Sequence, residues 1–309
     1  MRKTALDTVY NLAKSNPKII FIGSDLGHGT LQNMQKEIPQ QFFMEGISEQ
    51  HIVGFAAGLA KEGFITFINT IANFFTRRAL DQIIVDVALH NLPVKFLASG
   101  GGMVYAPLGP THTAVDDFAH MLAIPNLGVY APCDAVEMKK LILDESENLS
   151  PSYIRFGKGG EKIVSNLFKN YKNSDIKTCG NLEAKKVILS TGVLTQVAVE
   201  AMETPKIDGK FLVIHLPKLN FLEDPILCEL LRSRDKVLVM EEHQPVGGLL
   251  TQTLHYAHKF NIDVRNFDTI SLSDKFIRSY GNQSDHFNKW GMTVGAILKK
   301  LGGNSGEIN

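Results

Sequence analysis

The sequence predicts a two-domain α/β protein built on parallel sheets, and three observations predict it. Short apolar runs closed by Gly, Ser or a charged residue recur along the chain, as in strands buried on both faces. Segments with helical spacing of apolar residues separate them, which is the alternation that βαβ units produce. One Gly-, Lys- and Asn-rich stretch, residues 157–183, interrupts that rhythm and divides the chain.

The elements follow in order. Ala5, Leu6, Val9, Tyr10, Leu12 and Ala13 recur at helical spacing and predict an opening helix. Ile19–Gly23 reads as a buried strand, and Ser48–Lys61 as a helix whose Gly54, Ala56, Ala57 and Gly58 allow close packing. Strands are expected at Phe64–Asn69, Val94–Ser99, Leu127–Tyr130 and Ser152–Phe156, with helices at Arg77–His90, Val115–Leu122 and Ala135–Glu147. Residues 157–183 read as a linker with a short excursion. Beyond it come strands Lys186–Ser190, Phe211–Leu216, Lys236–Glu241 and Val264–Ser271. Helices Gln196–Met202, Pro225–Arg232, Gly247–Phe260 and Met292–Leu301 accompany them, and the tail GGNSGEIN reads as frayed. The division is placed near residue 175, giving a domain over 1–175 and a smaller one over 176–309.

Composition narrows the function classes. The 309 residues are 44% hydrophobic and 21% charged, as in a globular chain with a sizeable core. Lys+Arg 32 against Asp+Glu 32 leaves no basic excess, which argues against a nucleic-acid binder. Three scattered cysteines, Cys133, Cys179 and Cys228, form no disulfide framework or cysteine zinc site and suggest a reducing compartment. The basic start lacks the apolar stretch of a secretory signal, and no apolar run approaches the ~20 residues of a membrane span. A cytoplasmic location is expected.

In parallel sheets ligands gather at the carboxyl ends of the strands, and four such segments carry unusual composition. In Phe43-Met-Glu-Gly-Ile-Ser-Glu49-Gln-His51, Ser48 can cap a helix and Glu49 sits in its first turn. That is either a plain helix start or a placed carboxylate. In Asn73-Phe74-Phe75-Thr76-Arg77-Arg78 the two aromatics are either core or a stacking wall for a planar ring. The run from Ser99 through Gly100-Gly101-Gly102 to Gly109-Pro-Thr-His112 is a long Gly-rich loop ending in an imidazole, and it matches neither nucleotide-binding glycine motif. Arg155, followed by Phe-Gly-Lys158-Gly-Gly, is either a solvated cation or suited to a phosphate or carboxylate. Glu241-Glu242-His243 is a site or a polar strand exit, and His255 with His258 reads as a surface pair.

Together these segments resemble the transketolase family of thiamine diphosphate enzymes, and only its second half. GISEQHIVGFAAGLA (46–60) is similar to the segment whose glutamate meets the cofactor's aminopyrimidine. NFFTRRALDQ (73–82) is similar to the pyrimidine-stacking segment, LGPTHT (108–113) to the substrate loop, PNLGVYAPCD (125–134) to the strand that follows, and VLVMEEHQPVGGL (237–249) to a segment of the C-terminal domain. The resemblance implies a parallel-sheet pyrimidine-binding domain followed by a transketolase C-terminal α/β domain. It implies that Glu49 donates a hydrogen bond to the pyrimidine, that Phe75 stacks on it with Phe74 in the wall and Arg78 in support, and that Asp25 borders the thiazolium side. His112 would face sugar hydroxyls or a developing oxyanion, and Arg155 a sugar phosphate.

The Gly-Asp-Gly that holds magnesium and diphosphate in this family does not occur; the nearest string, Ile207-Asp208-Gly209-Lys210, belongs to the second domain. The expectation is therefore a subunit with no metal ligand of its own, inert until a partner supplies the diphosphate-binding domain and the Mg²⁺ ligands, in a two-plus-two heterotetramer. The resemblance puts Gly100 where a His is common and Leu108 where an Asp is common. Losing two polar readers leaves room, and implies an unusual acceptor such as a deoxy, keto, branched or nucleotide-linked sugar. The reading is ketol transfer from a ketose phosphate to an aldehyde or ketone. The alternatives are a deoxyxylulose-phosphate-synthase-like enzyme, the β subunit of a 2-oxoacid dehydrogenase, and a regulatory or scaffold subunit.

Overall fold

The structure, a computed structural model, describes residues 1–25, 29, 31–172, 174–204 and 211–302. The Ile207–Lys210 string and the tail beyond Gly302 lie outside the described residues.

Strands β1 (Ile19–Gly23), β2 (Phe42–Met44), β3 (Ile65–Ile71), β4 (Val94–Ser99), β5 (Gly128–Tyr130) and β6 (Ser152–Phe156) form one sheet in the order β2-β1-β3-β4-β6-β5. Every pairing in it is parallel. Side chains alternate across a strand, and β1 uses both faces. Ile20 and Ile22 join the core under helix Glu49–Lys61, while Ile19 and Phe21 join the core under helices Arg2–Ser15 and Ala135–Glu147. Burial on both faces is why these runs read as continuously apolar.

The second sheet contains β7 (Lys169–Asn170), β8 (Lys177–Gly180), β9 (Lys186–Ser190), β10 (Leu212–His215), β11 (Lys236–Met240) and β12 (Phe267–Ile270) in the order β12-β11-β9-β10-β8-β7. β12, β11, β9 and β10 are parallel, whereas β8 and β7 add on antiparallel. The mixed α/β fold agrees with the sequence expectation. Residues 169–180 do not, because they form a hairpin on the sheet edge rather than a linker. Edge strands this short and polar carry no apolar run to betray them.

A second difference bears on the site. The helix expected from Arg77 begins at Ala72, directly where β3 ends, so Asn73 to Thr76 are helical. It breaks at Ala79 and resumes, with a π-helical stretch at Ile83–Ala88. No intervening polar loop marks the change from strand to helix. No described helix is long and apolar enough to cross a membrane.

The two sheets meet through backbone hydrogen bonds. Ala131 donates to Pro217 at 2.8 Å, Leu219 to Val129 at 2.9 Å and Gln244 to Val115 at 2.8 Å. Glu137 forms a further tie, accepting from Cys133 N–H at 2.7 Å and facing His215 Nε2 at 2.8 Å and Lys177. Burial pushes its carboxyl up, but His215 and Lys177 outweigh that and hold it well below the usual range. Cys133, Glu137 and His215 are close enough to ligate an ion. The Lys177 ammonium already supplies the positive charge there, so the cluster is a satisfied interdomain contact.

Candidate active site

The exits of β1, β2, β3, β4 and β6 lie along one edge of the first sheet, and the sequence-predicted residues are distributed along it. Glu49 opens helix Glu49–Lys61 and is 4% exposed. Ser48 occupies the N-cap position but its hydroxyl donates to Glu45 O at 3.0 Å, so it does not cap the helix as expected. Glu49 Oε2 accepts from Arg78 Nη1 at 3.1 Å, and its other oxygen, Oε1, is buried without a partner among the described residues. Leaving such an acceptor unmet costs about 1–3 kcal/mol, so the site is arranged for a hydrogen-bonding group from outside the chain.

Arg78 continues the line. Its guanidinium sits over the Phe74 ring at 3.7 Å from the centroid, and His112 meets that ring edge-on at 5.3 Å. Glu49, Arg78, Phe74 and His112 are thus brought into one contiguous row. His112 is half-exposed, with Nδ1 at 2.9 Å from the Thr111 hydroxyl. A half-exposed imidazole at the end of such a row can exchange a proton with a bound oxygen.

Phe75 is placed differently from the expectation. Adjacent residues on a helix diverge by about 100°. Phe74 therefore faces the row, while Phe75 is enclosed in the core with Phe96 edge-on at 5.3 Å. The ring at the open side is that of Phe74, and Phe75 backs it. Asp25 is exposed at the exit of β1, accepting from Ser24 Oγ at 3.1 Å; Ser24 in turn reaches Thr70 on β3 at 2.9 Å.

Arg155 requires a correction. It is 6% exposed, and its guanidinium donates to Asp117 Oδ1 at 3.2 Å and to Glu242 O at 2.7 Å while lying 4.3 Å from the centroid of Phe118. Its charge is already neutralised inside the protein, so it is not open to a substrate phosphate. Arg155 still belongs to β6 and is enclosed with it, and the exposed cation at this exit is the next one along, Lys158. Sequence reasoning passed over it because Arg is the commoner partner of phosphate.

Gly100 and Leu108 divide. Leu108 is 54% exposed at the loop's rim. The room expected beside Gly100 does not exist: a Cβ there would lie 2.0 Å from the Tyr105 ring. Tyr105 packs with Ile71 and Phe74, so an aromatic ring fills the space. Gly101 and Gly102 are equally confined, by Arg155 and by the Glu242 carboxyl carbon at 2.2 Å. The triple glycine exists to let three side chains pass, not to open a cavity.

The second domain braces this loop. Glu242 Oε1 accepts from Met103 N–H at 2.7 Å and Gln283 Nε2 at 2.8 Å, and burial pushes its carboxyl up. Glu241 accepts from Leu249 and Leu250 N–H at 2.6 and 3.1 Å, at the start of helix Leu249–Lys259. His243 stacks on Phe118 at 5.3 Å. The Glu-Glu-His string is therefore a buried bracket. His255 and His258 are both exposed.

Comparison with known proteins places the fold. Residues 1–160 match the family described as transketolase, pyrimidine binding domain. The chain is 28% identical over 307 residues to a subunit of the apulose-4-phosphate transketolase of Phocaeicola vulgatus, covering 96% of this chain and 95% of that one. It is 32% identical over 291 residues to 1-deoxy-D-xylulose-5-phosphate synthase of Dictyoglomus turgidum, covering 92% of this chain but 46% of the relative. The chain thus spans less than half the length of the synthases it matches. Among solved structures, one described as a split gene transketolase, inactive beta4 tetramer, superposes with a TM-score of 0.81 at 27% identity, covering 97% and 96% of the two chains. Campylobacter jejuni transketolase shares the fold, with a TM-score of 0.79 at 20% identity, over 96% of this chain and 46% of that one.

Proposed function

Because this chain belongs to the transketolase pyrimidine-binding family, we propose that it is the pyrimidine-side subunit of a split transketolase. It moves a two-carbon ketol unit from a ketose phosphate to an aldehyde or ketone acceptor. It works with a partner subunit that brings the diphosphate-binding domain and the Mg²⁺ ligands, in a two-plus-two assembly. The observation that carries this reading is the end-to-end match, over 96% and 95% of the two chains, to a protein named as one subunit of a transketolase.

The residues present fit the cofactor. The unpartnered Oε1 of buried Glu49 suits a pyrimidine ring nitrogen, and Arg78 holds the carboxyl group from its other oxygen. The Phe74–Phe75 pair forms the aromatic wall, Phe74 on its open side. Asp25, exposed at the exit of β1, would border the thiazolium side. Thiamine diphosphate, when bound, supplies the nucleophilic carbon that attacks the donor carbonyl. His112 holds or moves a proton at a sugar oxygen, and Lys158 takes the phosphate role expected of Arg155. Leu108 lies at the acceptor's edge of the loop. The two sheets support two units, a pyrimidine-binding one and a C-terminal one. Since β7 pairs with β8, the division proposed is between Phe156 and Lys169 rather than at residue 175.

The synthase reading is the second, favoured by relatives of that name at 29% and 32% identity. The deciding experiment mixes this chain with its diphosphate-domain partner, thiamine diphosphate, Mg²⁺ and xylulose 5-phosphate, with Glu49→Ala as control. Ketose cleavage that needs both chains and is lost in the variant is expected. Carbon dioxide release from pyruvate without ketose cleavage would move the protein to the synthase class.

A further inference from the structure

The helix Ala72–Arg78 has two working faces. Phe74 and Arg78, four apart, face Glu49 and the aromatic row. Asn73 and Arg77, also four apart, face the loop that carries His112. Arg77 Nη1 donates to Pro110 O at 3.2 Å, and Nη2 donates to Thr113 O at 3.4 Å. The same Nη2 meets both oxygens of Asp116 at 3.1 and 3.2 Å. Asn73 Nδ2 donates to Thr111 O. Three carbonyls flanking His112 are therefore held from a single helix, and His112 N–H closes the turn on Gly109 O at 3.0 Å.

On its outer side the loop borders a cavity of about 440 Å³ shared with Asp274, Lys275, Phe276 and Ile277. Of the residues that share it, Phe276 is 88% exposed while Ile277 is buried. With Asn73, the Arg77 fork ties the loop back to the helix. Its planar guanidinium presents donors in a rigid fork that spans separated acceptors, a geometry that the compact ammonium of a flexible lysine does not reproduce.

From this geometry we infer that Arg77 is a positioning residue for His112, acting through the backbone of Pro110–Thr113. The inference rests on the reading that His112 meets the substrate. One short helix then sets the spacing between the cofactor-side pair, Phe74 and Arg78, and the substrate-side imidazole. Misplacing a reacting group by about 1 Å costs up to ~100-fold in rate, so a modest loosening has a visible effect.

The test uses Arg77→Met, Arg77→Lys and His112→Ala in the reconstituted two-subunit enzyme. Arg77→Met is expected to lower kcat/KM for the acceptor by about tenfold in the His112 background and by less than about twofold in the His112→Ala background. Arg77→Lys keeps the charge opposite Asp116 and is expected to recover stability but not that coupling. An equal fall in both backgrounds would overturn the inference and leave Arg77 a merely structural residue. A second readout needs no activity: the ring resonance of labelled His112 in the isolated chain. It is expected to shift or broaden in Arg77→Met and to stay put in the distant Arg265→Met. A ring signal unmoved by Arg77→Met would also overturn it. If the assembled enzyme transfers no ketol unit at all, the functional reading fails while the resonance still decides the role of Arg77.

Discussion

Two glycine-to-alanine substitutions in this chain should change stability in opposite directions, for reasons visible at each position. Gly101 has its Cβ space filled by the middle of the Arg155 side chain, with Nε, Cγ and Cδ at 2.2, 2.3 and 2.6 Å. Arg155 cannot swing aside cheaply, because its guanidinium is fixed to Asp117 and the Glu242 carbonyl. If it shifts while keeping those bonds, the overpacking costs about 1–3 kcal/mol. If it lets go, Asp117 is left buried against Tyr153 alone, and breaking such a pair costs about 3–5 kcal/mol. Gly101→Ala should therefore lose roughly 3 kcal/mol. Gly58 lies in helix Glu49–Lys61 with no atom within 4 Å of its Cβ position, so Gly58→Ala should gain about 0.5–1 kcal/mol. Urea denaturation of the purified chain, followed by circular dichroism, measures both. A Gly101→Ala variant within about 0.5 kcal/mol of wild type would refute the claim that Arg155 is locked in place.

Three further outcomes follow from the same geometry. Arg155→Ala should cost about 3–5 kcal/mol of stability, read by denaturation, because it strands Asp117; a phosphate-binding arginine would cost affinity instead. Burial pushes the Glu241 carboxyl up to about 8 despite two helix N–H donors, and burial pushes His243 down to about 4. Folded Glu241 keeps a proton that the unfolded chain loses above 4.5, so it lowers stability as pH rises; His243 does the opposite between about 4 and 6.5. The two offset between 4.5 and 6.5, and from 6.5 to 8 stability should fall by about 2 kcal/mol, a slope that Glu241→Gln flattens in denaturation curves taken across that range. Leu108→Asp, at an exposed rim, should leave stability within about 0.5 kcal/mol, so a changed acceptor preference in kinetic assays would report substrate contact directly.

Much of this is legible in residue patterns. The buried strands and the helices beside them follow from apolar periodicity, and Glu49, Arg78, Phe74 and His112 stand out by composition at strand exits. What sequence does not show is direction. Phe74 and Phe75 are equivalent on paper, and a helix that starts one turn earlier than its charges suggest decides which of them faces the row. Arg155 reads as a ligand-binding cation, but its partners Asp117 and Glu242 come from distant segments, one of them in the other domain. The glycine run suggests space, and only packing shows that Tyr105, Arg155 and Glu242 have taken it. The β7–β8 hairpin lacks an apolar signature altogether.

The bracket formed by Glu242 also constrains how such a chain can change. Its carboxylate, from the second domain, holds Met103 N–H and Gln283 while lying beneath Gly102 of the first. A larger residue at 102 and a different residue at 242 must therefore change together. A chimera joining this first domain to a relative's second domain inherits a working loop only if the incoming strand ends in a carboxylate of matching reach. Recombination at the domain seam is thus tolerated or rejected at a few paired positions, and the substrate loop of one lobe is inherited jointly with the strand terminus of the other.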